Sequence, residues 1–154
     1  MIITFIGHSS LTDRDAVYSQ VKNVMNENIT KEDKVLFYCG GYGEFDRLCA
    51  EVCREFKKTH SACELIYISP YFTMSYQEKM KYMTDMGLYD STVYPPLENT
   101  HPKIAIIKRN EWMVNESDLI IAYVRHTYGG AYKTYSYALR KNKRIINIFE
   151  YSKK

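Results

Sequence analysis

Short apolar runs alternate with longer amphipathic stretches along this chain. The apolar runs predict strands that are buried on both faces of a parallel sheet. From Phe45 to Phe56 the apolar residues instead follow the i, i+3, i+4, i+7 spacing of an amphipathic helix. The four clearest strands are predicted at residues 2–6, 35–39, 65–68 and 119–124.

The rest of the pattern predicts four more helices, a short extended piece and a last strand. Thr12 with Asp15 resembles a capping box that opens a helix, and Pro102 suits the first turn of a helix that runs to about residue 115. The other predicted elements are a helix at about 75–86, an extended piece near 92–94, a helix at about 131–141 and a strand at 145–149.

Alternation of strand and helix predicts a doubly wound α/β fold, because each crossover between parallel strands is right-handed and places a helix on one face of the sheet. We therefore expect a single Rossmann-like domain over residues 1–154, with a mainly parallel sheet, the first strand at its centre and helices on both faces. A chain of 154 residues is long enough to bury such a core.

The net charge and composition indicate which classes of binding partner to expect. Lys and Arg number 21 against 18 Asp and Glu, and this excess is small and evenly spread apart from Lys153 and Lys154 at the end. We therefore expect no nucleic-acid partner.

No run is long enough to span a membrane, and the four cysteines form no CxxC pair. We expect a cytoplasmic protein with reduced, buried cysteines, no metal and no required cofactor. The fifteen tyrosines leave open a self-association patch and a homo-oligomer.

Glycines mark where a ligand should bind. Six of the seven glycines follow a predicted strand, and only Gly87 does not. Since parallel strands end at one edge of the sheet, these turns should surround one crevice. Gly40-Gly41-Tyr42-Gly43 precedes a helix and offers backbone N–H groups to an anion, and a branched side chain at Gly41 should block that approach. Neither a GxGxxG fingerprint nor a GxxxxGK[ST] phosphate loop is present.

Several stretches resemble the YpsA-like branch of the SLOG superfamily, a Rossmann-like group that also contains the LOG phosphoribohydrolases and the DprA proteins. The stretches are Gly7-His8, residues 39–46, residues 94–96, residues 109–114, Ser117-Asp118 and residues 129–134. The resemblance implies a pocket for a nucleotide-type ligand at the ends of the first, second and penultimate strands.

The resemblance also raises an enzymatic alternative. LOG enzymes cleave the N-glycosidic bond of a nucleoside monophosphate and use a PGGxGTxxE motif with a catalytic Glu. Here the matching stretch is CGGYGEFDR, so Arg47 takes the position of that Glu and Glu44 the position of the Thr. The leading hypothesis is therefore binding of a nucleotide or nucleotide-derived phosphate ligand, with a nucleotide N-glycosidase as the alternative and Glu44 and Asp46 as its candidate acids.

Each of the following candidate site residues has two possible interpretations. Arg109 suits a bidentate phosphate contact or is a surface arginine, and Trp112 stacks on a base or belongs to the core. Glu44 and Asp46 cap a helix or hold a ribose. The predicted ligand-binding residues are Gly7, His8, Gly40, Gly41, Tyr42, Gly43, Glu44, Asp46, Arg109, Trp112, Arg125, His126, Gly129, Gly130, Tyr132, Lys133 and Thr134.

Overall fold

A six-stranded parallel sheet forms the centre of the computed structural model, which describes residues 1–151. The basic tip at Lys153 and Lys154 lies outside the described residues. The strand order is β4-β3-β2-β1-β5-β6, and every neighbouring pair is parallel. The strands are β1 (Ile2–Gly7), β2 (Val35–Cys39), β3 (Cys63–Ile68), β4 (Ser91–Val93), β5 (Leu119–Tyr123) and β6 (Ile145–Asn147).

Helices cover both faces of this sheet, as the alternating pattern predicted. The helices are α1 (Arg14–Asn28), α2 (Glu44–Phe56), α3 (Met74–Asp85), α4 (Ala105–Glu116), α5 (Gly129–Arg140) and α6 (Ile148–Tyr151). Ile3 and Phe5 of β1 pack in the core with α1 and α2, whereas Ile6 packs with α4 and α5 on the other face. This alternation follows from the two-residue period of a strand. No helix within residues 1–151 is both long and apolar enough to cross a lipid bilayer.

Several predicted boundaries differ from the structure by a few residues, and the contacts that set three of them are visible. Strand β6 ends at Asn147 and does not reach Phe149, because the Asn147 side chain ends the ladder: its Oδ1 accepts from the Phe149 N–H at 3.3 Å and its Nδ2 donates to the Val124 carbonyl. Helix α1 is capped by Asp13, whose Oδ1 accepts from Ala16 N–H, and not by Thr12. Residues Pro102–Ile104 form a 3-10 turn before α4.

Candidate functional site

A cavity of about 420 Å³ opens at the carboxyl ends of β1 and β5. β1 and β5 are neighbours in the sheet. From β1 the chain continues to β2 toward one edge of the sheet, and from β5 it continues to β6 toward the other edge. Ligands of open α/β sheets bind at this kind of switch point because the loops diverge there. The predicted site residues on its wall are Gly7, His8, Tyr42, Asp46, Arg109, Arg125, His126, Gly129, Gly130 and Thr134.

The glycines of the loop after β2 do not line this cavity. A methyl group on Gly40 would lie 2.9 Å from the Arg109 guanidinium carbon, and one on Gly41 would lie 2.8 Å from the Tyr67 ring. On Gly43 it would lie 2.8 Å from the Ser9 Cα, and Gly41 and Gly43 also have positive φ. These positions are therefore glycine because other parts of the chain occupy the space and the backbone requires it. A side chain at Gly41 is therefore expected to cost stability, because φ is positive there and the space is taken by the Tyr67 ring.

The loop after β5 has the open backbone that the sequence suggested for the loop after β2. A methyl group on Gly129 or Gly130 meets no atom within 4 Å. Both residues lie on the cavity wall at the start of α5, and the side chain of its N-cap residue, Tyr128, makes no capping bond. The first-turn N–H groups of a helix need acceptors, and an anion satisfies them well.

Arg109 is a buried residue on the cavity wall, so the interpretation as a surface arginine is wrong. Its side chain is 2% exposed. Nη1 donates to the carbonyls of Gly40 at 3.0 Å and Ile68 at 2.8 Å, and Nε donates to Oδ1 of Asn110. The guanidinium thus joins α4 to the carboxyl ends of β2 and β3. None of these bonds uses Nη2.

The two candidate acids lie in different surroundings. Asp46 is half-buried on the cavity wall, and its Oδ2 accepts from the Tyr42 N–H at 3.1 Å. Burial raises its pKa to about 6, against the opposing effects of the Arg109 charge and the Tyr42 N–H. Glu44 is exposed and does not line the cavity, and its Oε2 accepts from the Leu11 N–H at 2.7 Å. Glu44 therefore holds the loop after β1 in place.

His8 connects the loop after β1 to the loop after β5. Its Nε2 accepts from the backbone N–H groups of Arg125 at 2.9 Å and His126 at 3.3 Å, so the ring proton is on Nδ1. Burial lowers the pKa of His8, and His126 and Arg125 add to the effect. The His126 ring also stacks on Tyr128, which is 69% exposed at the cavity rim. Tyr128 had no sequence signal other than its position beside the glycine pair.

Besides Glu44 and the glycines of the loop after β2, three more predicted residues lie outside the cavity. Trp112 stacks on Tyr38, with ring centroids 5.6 Å apart, in the cluster that packs on β2 and β3, and it does not line the cavity. Tyr132 and Lys133 line a neighbouring groove between α4 and α5. Residues that sequence reasoning missed include Ser9, Ser10, Ile106, Asn110 and Met113. Ser9 and Ser10 come immediately after Gly7-His8 at the end of β1, and this position is the one sequence signal that could have identified them.

Possible metal ligands do not cluster in the part of the chain that is described. Residues 1–151 contain no group of three or more His, Cys, Asp or Glu side chains that could hold an ion. All four cysteines are free and buried, and burial raises the pKa of the Cys49 and Cys53 thiols well above the ordinary range. Such thiols are poor nucleophiles because the reactive form is the thiolate.

Neither a family model nor a curated protein matches this sequence. Solved structures do match. DNA processing protein A from Helicobacter pylori is 14% identical at a TM-score of 0.62, with 94% of this chain and 63% of that chain covered. DNA processing protein A (DprA) from Streptococcus pneumoniae is 12% identical at a TM-score of 0.62, with 93% and 48% covered. The protein TM1055 is 12% identical at a TM-score of 0.56, with 94% and 71% covered.

These likenesses show a Rossmann-like α/β fold. The chain spans 63% and 48% of the two DNA processing proteins. The Helicobacter protein is described by its single-stranded DNA binding mode, so the expectation that nucleic acid is no partner is wrong. That expectation used the net charge of +3 over the whole chain, whereas binding to phosphates depends on where the cations lie.

Proposed function

We propose that this chain binds a nucleotide or a nucleotide-derived phosphate ligand in the cavity, and that it belongs to the YpsA-like branch of the SLOG group. The observation that carries the proposal is the open first turn of α5 at Gly129 and Gly130, which faces the cavity at the switch point of the sheet. Arg109 and Arg125 lie on the same wall, and Asp46 is its one carboxylate among the described residues. The wall therefore favours an anion.

Each part of a nucleotide has a matching group in this cavity. The phosphate would accept from the first-turn N–H groups of α5, with Arg125 and Arg109 adding positive charge. A ribose hydroxyl would donate to the Asp46 carboxylate. The exposed rings of Tyr42 and Tyr128 stand at the rim, 66% and 69% exposed, and suit stacking on a base. Backbone N–H groups recognise the phosphate and leave the base unspecified.

Gly130→Val tests this arrangement. The new side chain projects from the cavity wall into open space, so the fold should tolerate it while a phosphate at the first turn is displaced. We expect calorimetric titration with nucleoside monophosphates to show at least about a tenfold loss of affinity, and an unfolding midpoint that does not fall. Ser75→Val is the matched control, since Ser75 is the exposed second residue of α3 as Gly130 is the second residue of α5. Equal affinity in the wild type and Gly130→Val would contradict the proposal.

A second candidate function is hydrolysis of the N-glycosidic bond of a nucleoside monophosphate. The observation that favours it is Asp46, a carboxyl group on the cavity wall whose pKa is raised to about 6, because a general acid must hold its proton near the working pH. Arg47 is exposed and does not line the cavity.

The test is release of free base from a panel of nucleoside monophosphates. If Asp46 is the acid, Asp46→Asn should lower turnover about a hundredfold or more while affinity is retained. Turnover should also fall as the pH rises through about 6. Glu44→Gln is the control, because Glu44 lies outside the cavity. Absence of base release by the wild type would eliminate this candidate and leave the binding proposal standing.

A further inference from the structure

A groove of about 540 Å³ lies between α4 and α5, directly beside the cavity. Its walls come from α4 and α5, and of the residues that carry the proposed function only Gly130 also lines it. The groove and the cavity share four lining residues, so the two spaces are continuous around the first turn of α5. The shared residues are Ile106, Asn110, Gly130 and Thr134.

The free charges of this groove are positive. Lys133 and Arg140 line it from α5 and are exposed, and neither forms an ion pair with another of residues 1–151. Glu111 lines the groove from α4, but its Oε2 lies 3.3 Å from the Lys108 Nζ and is compensated. A second anionic group would therefore find cations here with no competing carboxylate of the chain.

The positions of the aromatic and charged residues along α5 indicate how long a ligand in the groove would be. Tyr132 and Tyr137 are half-buried along the groove. At 1.5 Å of rise per residue, Lys133 lies about 4.5 Å and Arg140 about 15 Å beyond Gly130 along the axis of α5. A mononucleotide held at Gly130 does not need a groove of that length, whereas a second nucleoside with its phosphate does.

We propose that the α4–α5 groove is a second subsite, and that the ligand consists of two nucleotide units joined through phosphate. The inference rests on the proposed function, since the first phosphate is the one at the first turn of α5. The second unit places its ring against Tyr132 or Tyr137 and its anionic group beside Lys133 and Arg140. This chemistry has two sources, a free dinucleotide with a pyrophosphate bridge and the end of a single-stranded nucleic acid.

The test compares three probes by calorimetric titration of the full chain: a nucleoside monophosphate, a pyrophosphate-bridged dinucleotide and a 5′-phosphorylated linear dinucleotide. We expect at least one dinucleotide to bind about tenfold or more tightly than the monophosphate. Lys133→Gln with Arg140→Gln should remove most of that gain, since charge-assisted contacts are worth about tenfold or more, and should change monophosphate affinity less than about twofold. The tighter of the two dinucleotides identifies the source.

Lys141→Gln is the matched control. Lys141 Nζ lies 5.4 Å from the centroid of the Tyr137 ring, but Lys141 does not line the groove, so its loss removes one charge from the same helix end and no groove-lining cation. Equal affinity for all three probes overturns this inference and leaves the proposed function intact. A gain that Lys141→Gln reduces as strongly as the groove variants also overturns it. Absence of binding by every probe overturns the proposed function and this inference together.

Discussion

Arg109→Met should be among the most destabilising substitutions in this fold, although Arg109 lies on the wall of the ligand cavity. The wild-type Nη1 donates to two backbone carbonyls, Gly40 at the end of β2 and Ile68 at the end of β3. Methionine fills a similar volume but donates to neither. Because Arg109 is only 2% exposed, these two carbonyls lie in a buried region. In the variant both carbonyls lose the Nη1 donor.

The expected cost follows from those two contacts. A hydrogen bond to a charged group contributes about 1.5 to 3 kcal/mol, and a buried group left without a partner costs about as much. We therefore expect the free energy of unfolding to fall by about 3 to 5 kcal/mol, because two such contacts are lost together.

Urea unfolding followed by circular dichroism measures this loss through the shift of the midpoint at an unchanged slope. Arg47→Met is the matched control, because Arg47 is exposed, and it should change stability by less than about 0.5 kcal/mol. A loss below about 1 kcal/mol for Arg109→Met would refute the reasoning, since the guanidinium would then be dispensable to the ends of β2 and β3.

Three further substitutions test other parts of the site. Gly41→Ala should lower stability by about 1 to 3 kcal/mol in thermal unfolding, because φ is positive and the methyl group meets Tyr67; an unchanged melting temperature would contradict this. The Asp46 pKa is raised from 3.8 to about 6, so the contribution of Asp46 to stability, measured as the difference between the wild type and Asp46→Asn, should fall by about 2 kcal/mol as pH rises from 4 to 6. The His8 pKa is lowered, so the contribution of His8, measured as the difference between the wild type and His8→Gln, should fall as pH drops below about 6.5.

The sheet could be predicted from the sequence because its strands are buried on both faces and are therefore continuous apolar runs. Strand boundaries that are set by tertiary contacts could not be predicted from the sequence. Asn147 ends β6 through bonds to Val124, which is distant in the sequence. Nothing in the local pattern distinguishes that asparagine from one in an exposed turn.

The candidate site was predictable as an edge of the sheet but not as a particular loop. A glycine pair looks the same whether its missing side chain is replaced by a ligand or by the protein itself. At Gly40 and Gly41 the space is taken by Arg109 and Tyr67, and at Gly130 it is open. The burial of Arg109 was equally hidden, because its partners come from β2 and β3, far along the chain.

Amide chemical shifts of ¹⁵N-labelled protein during titration with a nucleoside monophosphate test the central claim most directly. The account predicts saturable shifts that are largest at Gly129, Gly130 and Ala131, where backbone N–H groups of α5 meet the phosphate, with smaller shifts at Gly7, which also lines the cavity. Inorganic phosphate should shift the α5 amides alone. Shifts centred on Gly41 and Gly43, or no saturable shift with any nucleotide, would contradict it.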